Sequence, residues 1–253
     1  MTEAGPVIGE EQERRFREEG YFVLERVIPD EHLEALRSEC QRFIEERDAE
    51  MDRLGVEKLN LDHKGKRYFV HAFGGSEKVR EFLFSELLAE MVRAALGDTA
   101  YLFNEQYVVK AAEKGMKFGW HQDSGFVGYL HRPYLSCWCA LDDVTEENGT
   151  VYLLPYSRAE TSGLVEHVKD EETNDMVGYF GDDPGDPVVV PAGSIACFSS
   201  FCFHRSGANE TDSSRRVYLA QYSAEPIMTE DGSRVRHLAE PFLKGGRRVR
   251  TIA

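Results

Sequence analysis

Trp120-His121-Gln122-Asp123 sets an imidazole and a carboxylate two positions apart. In an extended segment, residues i and i+2 project from one face. The spacing therefore predicts that His121 and Asp123 aim at a single point, as two ligands of a divalent metal. A third donor must come from elsewhere. His204 closes the apolar segment Ile195–Phe203, far enough downstream to belong to a different strand. Two histidines and a carboxylate on one face of an octahedron form the facial triad of non-haem Fe(II) oxygenases, which leaves positions open for cosubstrate and dioxygen. The other histidines lack this logic. His32 and His167 lie in charged helix or loop sequence, and His63, His71, His131 and His237 have no partner at ligand spacing.

Downstream of His204, Arg215 and Arg216 open the segment Val217-Tyr218-Leu219-Ala220. An arginine beside a ferrous centre suits a dicarboxylate cosubstrate, whose far carboxylate it can bind bidentately. Neighbours in an extended segment face opposite ways, so one of the two points inward. Spacing alone leaves the choice open.

The elements that must position these residues fall into two regions. In the first hundred residues, a polar segment Glu10–Glu19 leads through Gly20 into a strand at Tyr21–Leu24. A helix follows, capped by Asp30 and stopped by Gly55, with Leu33, Leu36, Cys40, Phe43, Ile44 and Met51 at 3.6-residue spacing. Residues 60–75 read as turn-rich, and a second helix is predicted from Ser76 to Gly97. From Ala100 the pattern changes to period two. Strands are predicted at Tyr101–Lys110, Lys117–Asp123, Tyr134–Leu141, Thr150–Leu154, Pro187–Val190, Ser194–His204 and Arg215–Ser223. One long polar stretch, Tyr156–Asp186, interrupts them. Helices followed by many short strands predict a mostly β fold with a jelly-roll core buttressed by N-terminal helices.

Composition excludes more than it assigns. The 253 residues hold 45 acidic and 30 basic side chains, a net charge of −15. That balance disfavours nucleic acid as a partner and disfavours docking to an anionic membrane. No apolar run reaches the roughly 20 residues of a membrane span, and Met1–Glu10 has neither the basic nor the apolar part of a signal peptide. Cys40, Cys137, Cys139, Cys197 and Cys202 contain no CxxC pair and read as reduced core thiols, so a cytoplasmic location is expected.

Phe16–Leu24 with Val27-Ile28-Pro29-Asp30, the Trp-His-Gln-Asp segment, Trp138–Val144 through Asn148-Gly149-Thr150, and Pro191-Ala192-Gly193-Ser194 leading to His204–Asn209 and Arg215 together resemble the phytanoyl-CoA dioxygenase (PhyH) family. The match runs over roughly residues 14–224. The resemblance implies a double-stranded β-helix with residues 1–99 as helical support, 100–224 as core, 156–186 as an insertion and 225–253 as a C-terminal extension. It implies His121, Asp123 and His204 as iron ligands, Arg215 on the distal carboxylate of 2-oxoglutarate, and Ser206 on the same carboxylate. Asn104 and Trp138 would line the cosubstrate or substrate pocket. The implied reaction hydroxylates an aliphatic C–H of a small molecule, with Fe(II), 2-oxoglutarate and O2, and yields succinate and CO2. Asp123 occupies the position a halide would need, which argues against halogenation. A noncatalytic metal-binding jelly roll, or a cupin-type metalloenzyme, would keep the triad but have no use for Arg215 and Ser206.

The resemblance departs at Pro155-Tyr156-Ser157-Arg158, where the family usually has Pro-Gly-Ser-His. The turn is expected to persist, with Arg158 taking the histidine's place near the pocket mouth. The stretch from Glu160 to Asp186 carries nine acids against Lys169 alone. It is expected to repel polyanions such as CoA thioesters and to favour neutral or cationic substrates.

Overall fold

A computed structural model of the chain describes residues 7–112, 117–171 and 176–249. Glu172 and Asp175 of the acidic stretch, and most of the N-terminal segment weighed for a leader, fall outside them. The polar run Glu10–Glu19 is a helix, α1. Gln12 accepts from the Gly9 amide, Glu10, Glu11 and Glu13 face the positive end of the dipole, and Gly20 closes it at φ 83°. Strand β1 (Tyr21–Leu24) leads to α2 (Asp30–Leu54), where Pro29 takes the capping position and Asp30 is already helical. The turn-rich reading of residues 60–75 gives way to short strands β2 (Lys58–Leu59), β3 (Asp62–His63) and β4 (Arg67–Val70). The single helix predicted from Ser76 is two, α3 (Glu77–Leu83) and α4 (Glu86–Leu96). Ser85 breaks it because its hydroxyl accepts from Leu88 N at 3.4 Å and starts a new helix, just as Ser76 accepts from Val79 N.

Then come β5 (Ala100–Lys110), β6 (Phe118–His121), a 3-10 turn (Asp123–Phe126), β7 (Leu135–Ala140), β8 (Val151–Leu154) and the short helix α5 (Tyr156–Ala159). The insertion carries a hairpin, β9 (Val168–Lys169) with β10 (Met176–Val177), and ends in β11 (Asp186–Pro187). The strand predicted at Pro187–Val190 is reduced to β11 and an isolated bridge, Val190 to Val144. The predicted strand Ser194–His204 is two strands in different sheets, β12 (Ile195–Ser199) and β13 (Phe203–Ser206), joined by a turn in which Ser200 N donates to Tyr134 O. After β14 (Arg215–Ser223), the C-terminal segment adds β15 (Glu240–Lys244) and β16 (Arg247–Arg248).

The major sheet runs β1-β12-β7-β14-β5-β4-β3-β2, with β15 also paired to β5, and the minor sheet runs β11-β8-β13-β6, all antiparallel. The fold is a mostly β jelly roll backed by helices, as expected, although β1, β4 and β15 join its major sheet from outside residues 100–224. Strand alternation divides the interior. Cys137, Cys139, Tyr218, Ala220 and Tyr222 face the helices with Leu36, Phe82 and Met91, while Trp138, Ala140, Val217 and Leu219 join Val151, Leu153 and Phe198 in the second cluster. All five cysteines are free and buried. No helix among the described residues is long and apolar enough to cross a membrane.

One glycine ties the sheets' loops to the interior. Gly149 sits at φ 83°, and a Cβ there would lie 2.7 Å from Gly207 O and 2.8 Å from Ala208 O, both backbone atoms. Gly149→Ala is expected to cost about 1–3 kcal/mol, with each kcal/mol lowering the melting temperature by about 2–4 °C. An unshifted calorimetric transition would contradict that reading of the turn.

Candidate metal centre

His121 and His204 are registered opposite each other across β6 and β13, which brings their ring centroids to 4.1 Å. Each ring donates from Nδ1 to the carbonyl two residues earlier, His121 to Gly119 O at 2.8 Å and His204 to Cys202 O at 3.1 Å. That choice leaves both Nε2 atoms as the lone-pair donors. Asp123 is not on the strand with His121. It is the first residue of the 3-10 turn, so the chain bends and the carboxylate, rather than strand parity, completes the site. Its Oδ1 lies 3.4 Å from His204 Nε2. Donor atoms of His121, Asp123 and His204 all lie within 4.8 Å of one another. Burial and the neighbouring His204 hold His121 well below the ordinary imidazole range. Against the opposing effect of burial, His204 and the Ser136 hydroxyl hold Asp123 below the ordinary carboxylate range. A neutral His121 imidazole and an ionised Asp123 carboxylate are protonation states that metal binding requires.

Three neighbouring strands orient the carboxylate. Ser136 on β7, Gln221 on β14 and Asn104 on β5 stand in one row across the major sheet, Gln221 registered with both others. Ser136 Oγ donates to Asp123 Oδ2 at 2.6 Å, Gln221 Nε2 donates to the same oxygen at 3.0 Å, and Asn104 Nδ2 donates to Gln221 Oε1 at 2.9 Å. One carboxylate oxygen is thereby occupied and Oδ1 is left for a metal, the monodentate arrangement of a facial triad. Asn104 is therefore two bonds removed from the carboxylate. Ser136 and Gln221 escaped the sequence reading, although both share the inward parity of Trp138 and Arg215 on their strands.

The same faces build an anion pocket. Arg215, on the parity of Val217 and Leu219, is 2% exposed. Its Nη2 donates to Gly149 O at 3.0 Å, while Nε and Nη1 are buried without a hydrogen-bond partner among the described residues. Arg216 points the other way and pairs with Asp142 at 2.6 Å, so alternation resolves the choice the spacing left open. Trp138 lies beneath the Arg215 guanidinium at 5.7 Å. Opposite Arg215 in the β14–β5 register is Lys110, 2% exposed, a group the sequence reading passed over as the end of an apolar strand. Lys110 Nζ donates to Ser206 Oγ at 2.8 Å and to Gly207 O. Burial, then the adjacent Arg215, push Lys110 down to about 6, and burial pushes Arg215 down to about 10. A buried guanidinium with two unmet donors, beside an amine that an anion would protonate, suits a carboxylate group.

Gln122, between two of the triad residues, is fully buried. Its Nε2 donates to Gly163 O and Phe201 O, its Oε1 accepts from Val165 N, and its backbone N donates to His167 Nε2 at 2.9 Å. The His167 ring fills the space a Cβ would take at Gly125 and at Gly178. His167, set aside in the sequence as a loop residue, thus seats the insertion against the triad segment. Arg158 is committed elsewhere. It forms ion pairs with Asp183 at 2.7 Å and Asp186 at 2.6 Å, clamping the end of the insertion and compensating two of its acids.

Fold and donor set together define an Fe(II)/2-oxoglutarate oxygenase. The chain belongs to the phytanoyl-CoA dioxygenase (PhyH) family, whose signature it matches over residues 16–217. It is 25% identical over 268 residues to phytanoyl-CoA dioxygenase domain-containing protein 1 of Danio rerio, covering 84% of this chain and 89% of the relative. In fold it is similar to the 2-oxoglutarate-dependent carbocyclase SnoK from nogalamycin biosynthesis (TM-score 0.68, 19% identity, 88% of each chain covered). It is also similar to EctD from S. alaskensis, solved with 2-oxoglutarate and 5-hydroxyectoine (TM-score 0.66, 22% identity, 88% of this chain and 78% of that one covered). Iron, 2-oxoglutarate and O2 are accordingly its cofactor and cosubstrates.

Gln221→Leu is expected to weaken Mn(II) or Fe(II) binding about tenfold or more while leaving the fold intact. Anaerobic metal titration measures it, and unaltered affinity would remove the orienting role given to this row.

Proposed function

We propose that His121, Asp123 and His204 hold the iron, that Arg215, Lys110 and Ser206 bind the distal carboxylate of 2-oxoglutarate over Trp138, and that the reaction hydroxylates an aliphatic C–H of a small molecule. The carrying observation is the donor triad within 4.8 Å, set in the same interior as the unpartnered Arg215 nitrogens. Ferrous iron at such a site supplies dioxygen activation coupled to decarboxylation of 2-oxoglutarate to succinate and CO2. The chain's own residues supply order. The two Nδ1–H bonds fix the imidazole tautomers, and the Ser136–Gln221–Asn104 row keeps Asp123 monodentate. Asp123 also fills the position a halide would take, which favours hydroxylation over halogenation. Asn104 acts through Gln221 in this reading.

The test is a visible charge-transfer band on anaerobic addition of Fe(II) and 2-oxoglutarate, together with succinate formation across a substrate panel. His204→Ala is expected to abolish the band; its survival would sink the ligand assignment. Arg215→Ala is expected to weaken 2-oxoglutarate binding by roughly 3–5 kcal/mol, the cost of breaking a buried charge pair. Arg216→Ala, which opens only the Asp142 pair, should leave that binding unchanged. Equal losses in the two titrations would refute the assignment.

Lys110 adds a pH dependence. Held near 6, it is mostly neutral at pH 8 and regains its proton when a carboxylate arrives. Binding of 2-oxoglutarate should therefore take up a proton above about pH 6 and weaken as pH rises. Calorimetry in buffers of different ionisation enthalpy reads this uptake, and Lys110→Met should eliminate it. Uptake that persists in the variant would place the proton elsewhere.

A further inference from the structure

The segment that carries His121 and Asp123 is gripped from outside the two sheets by the insertion. Gly178 N, just after β10, donates to Trp120 O at 2.9 Å. Gln122 N donates to His167 Nε2, also at 2.9 Å. The two peptide units that flank His121 are therefore both tied to the insertion. A peptide unit is planar, so holding both units fixes the direction in which the His121 side chain leaves the backbone. Gln122 extends the grip. Its side chain accepts from Val165 N at 2.9 Å and donates to Gly163 O at 2.8 Å. The same amide donates at 2.7 Å to Phe201 O, in the turn that leads into β13 and His204.

The His167 ring is seated for this contact. Its Nδ1 donates to Val165 O at 3.0 Å, and burial holds the imidazole below its ordinary range, so Nε2 keeps a lone pair for the Gln122 amide. A Cβ at Gly125 would lie 2.6 Å from three atoms of the ring, and a Cβ at Gly178 would lie 2.7 Å from Nε2. One of these glycines belongs to the turn that Asp123 opens and the other to the insertion. The ring thus fills the seam between them, and it stands outside the donor cluster of His121, Asp123 and His204. A histidine in this place acts on the metal only through the backbone it holds.

We propose that the insertion is a built-in part of the metal centre rather than a lid that swings open in each cycle, and that His167 is the positioning residue that locks it there. This rests on the ligand assignment proposed above. With His167 in place, the His121 imidazole and the Asp123 carboxylate are set at their separation before the metal arrives. Without it, Gln122 N loses its acceptor, and metal binding has to order the segment itself, at a cost in affinity. The coupling is reciprocal: whatever factor the docked insertion adds to metal affinity, bound metal adds to docking of the insertion.

Full-length protein is titrated with Mn(II), a redox-silent probe of the site, and hydrogen exchange of residues 163–169 is followed by mass spectrometry with and without the metal. In the wild type, saturating Mn(II) should slow that exchange about tenfold. His167→Leu should weaken Mn(II) binding about tenfold and remove the metal-dependent slowing. His167→Gln, whose amide oxygen can accept from Gln122 N, should recover part of both. Gly178→Ala displaces the ring while leaving His167 itself intact, so it should give the same losses, and it serves if His167→Leu does not fold. Asp182→Asn, on the exposed part of the insertion, should change neither quantity. Wild-type Mn(II) affinity in the displaced-ring variants, or exchange in the wild type that Mn(II) leaves unaltered, overturns the lock while the ligands stand. Failure of the wild type to bind Mn(II), or undiminished binding by His204→Ala, overturns the ligand assignment and the lock with it.

Discussion

A carboxylate can serve as a one-oxygen ligand inside a protein only if its other oxygen is satisfied by something that cannot leave. Asp123 meets that condition through Ser136 and Gln221, and Gln221 is itself held by Asn104. The three side chains come from adjacent strands of the major sheet, so the orientation of one oxygen is underwritten by backbone pairing across β7, β14 and β5. A one-residue slip of any one of these strands would turn its own member of the row outward. The minor sheet contributes in the same way, because the His121–His204 approach is a cross-strand pair. The two imidazoles are thus placed by sheet register, while Asp123 is placed by the 3-10 turn and oriented by side chains from the sheet.

The electrostatics of the interior run against those of the surface. A chain with fifteen excess negative charges buries Lys110 and Arg215 face to face on neighbouring strands. Burying a cation is costly, more so for Lys110 with Arg215 beside it, and the lowered affinity of both groups for protons records that cost. Such a pair is sustained by the neutral acceptors around it, Ser206 Oγ, Gly207 O and Gly149 O. It gains most when an anion enters. With Arg215 charged and Lys110 ready to take up a proton, an anion can be met there without reorganising the protein.

Much of this was legible in the sequence. His121, Asp123 and His204 were readable because metal chemistry admits few donor types, and the strands carrying Arg215 and Trp138 alternate cleanly. What escaped had physical causes. The strand predicted through Ser194–His204 is buried on both sides of the Ser199-Ser200 pair, so the two serines read as part of one strand although the chain switches sheets there. The helix from Ser76 kept its apolar period across the break that the Ser85 hydroxyl makes. The burial of Lys110 was invisible because a terminal lysine on a strand ordinarily reaches solvent, whereas here it is paired on both sides, with Arg215 and with Arg67. Gln221 and Ser136 looked like tolerated polar residues until a carboxylate was placed against them.

Gln122 gives the insertion a standing that its composition conceals. The side chain lying between two triad residues spends all its hydrogen-bonding capacity on Gly163, Val165 and Phe201, and its amide on His167. The insertion is therefore a modular part with a fixed plug. Its hairpin and its acidic outer residues take no part in these hydrogen bonds, so changes there leave the plug intact. The segment 163–167, with glycines at 125 and 178 to admit the ring, is the fitting that any replacement must reproduce if the triad segment is to keep its shape.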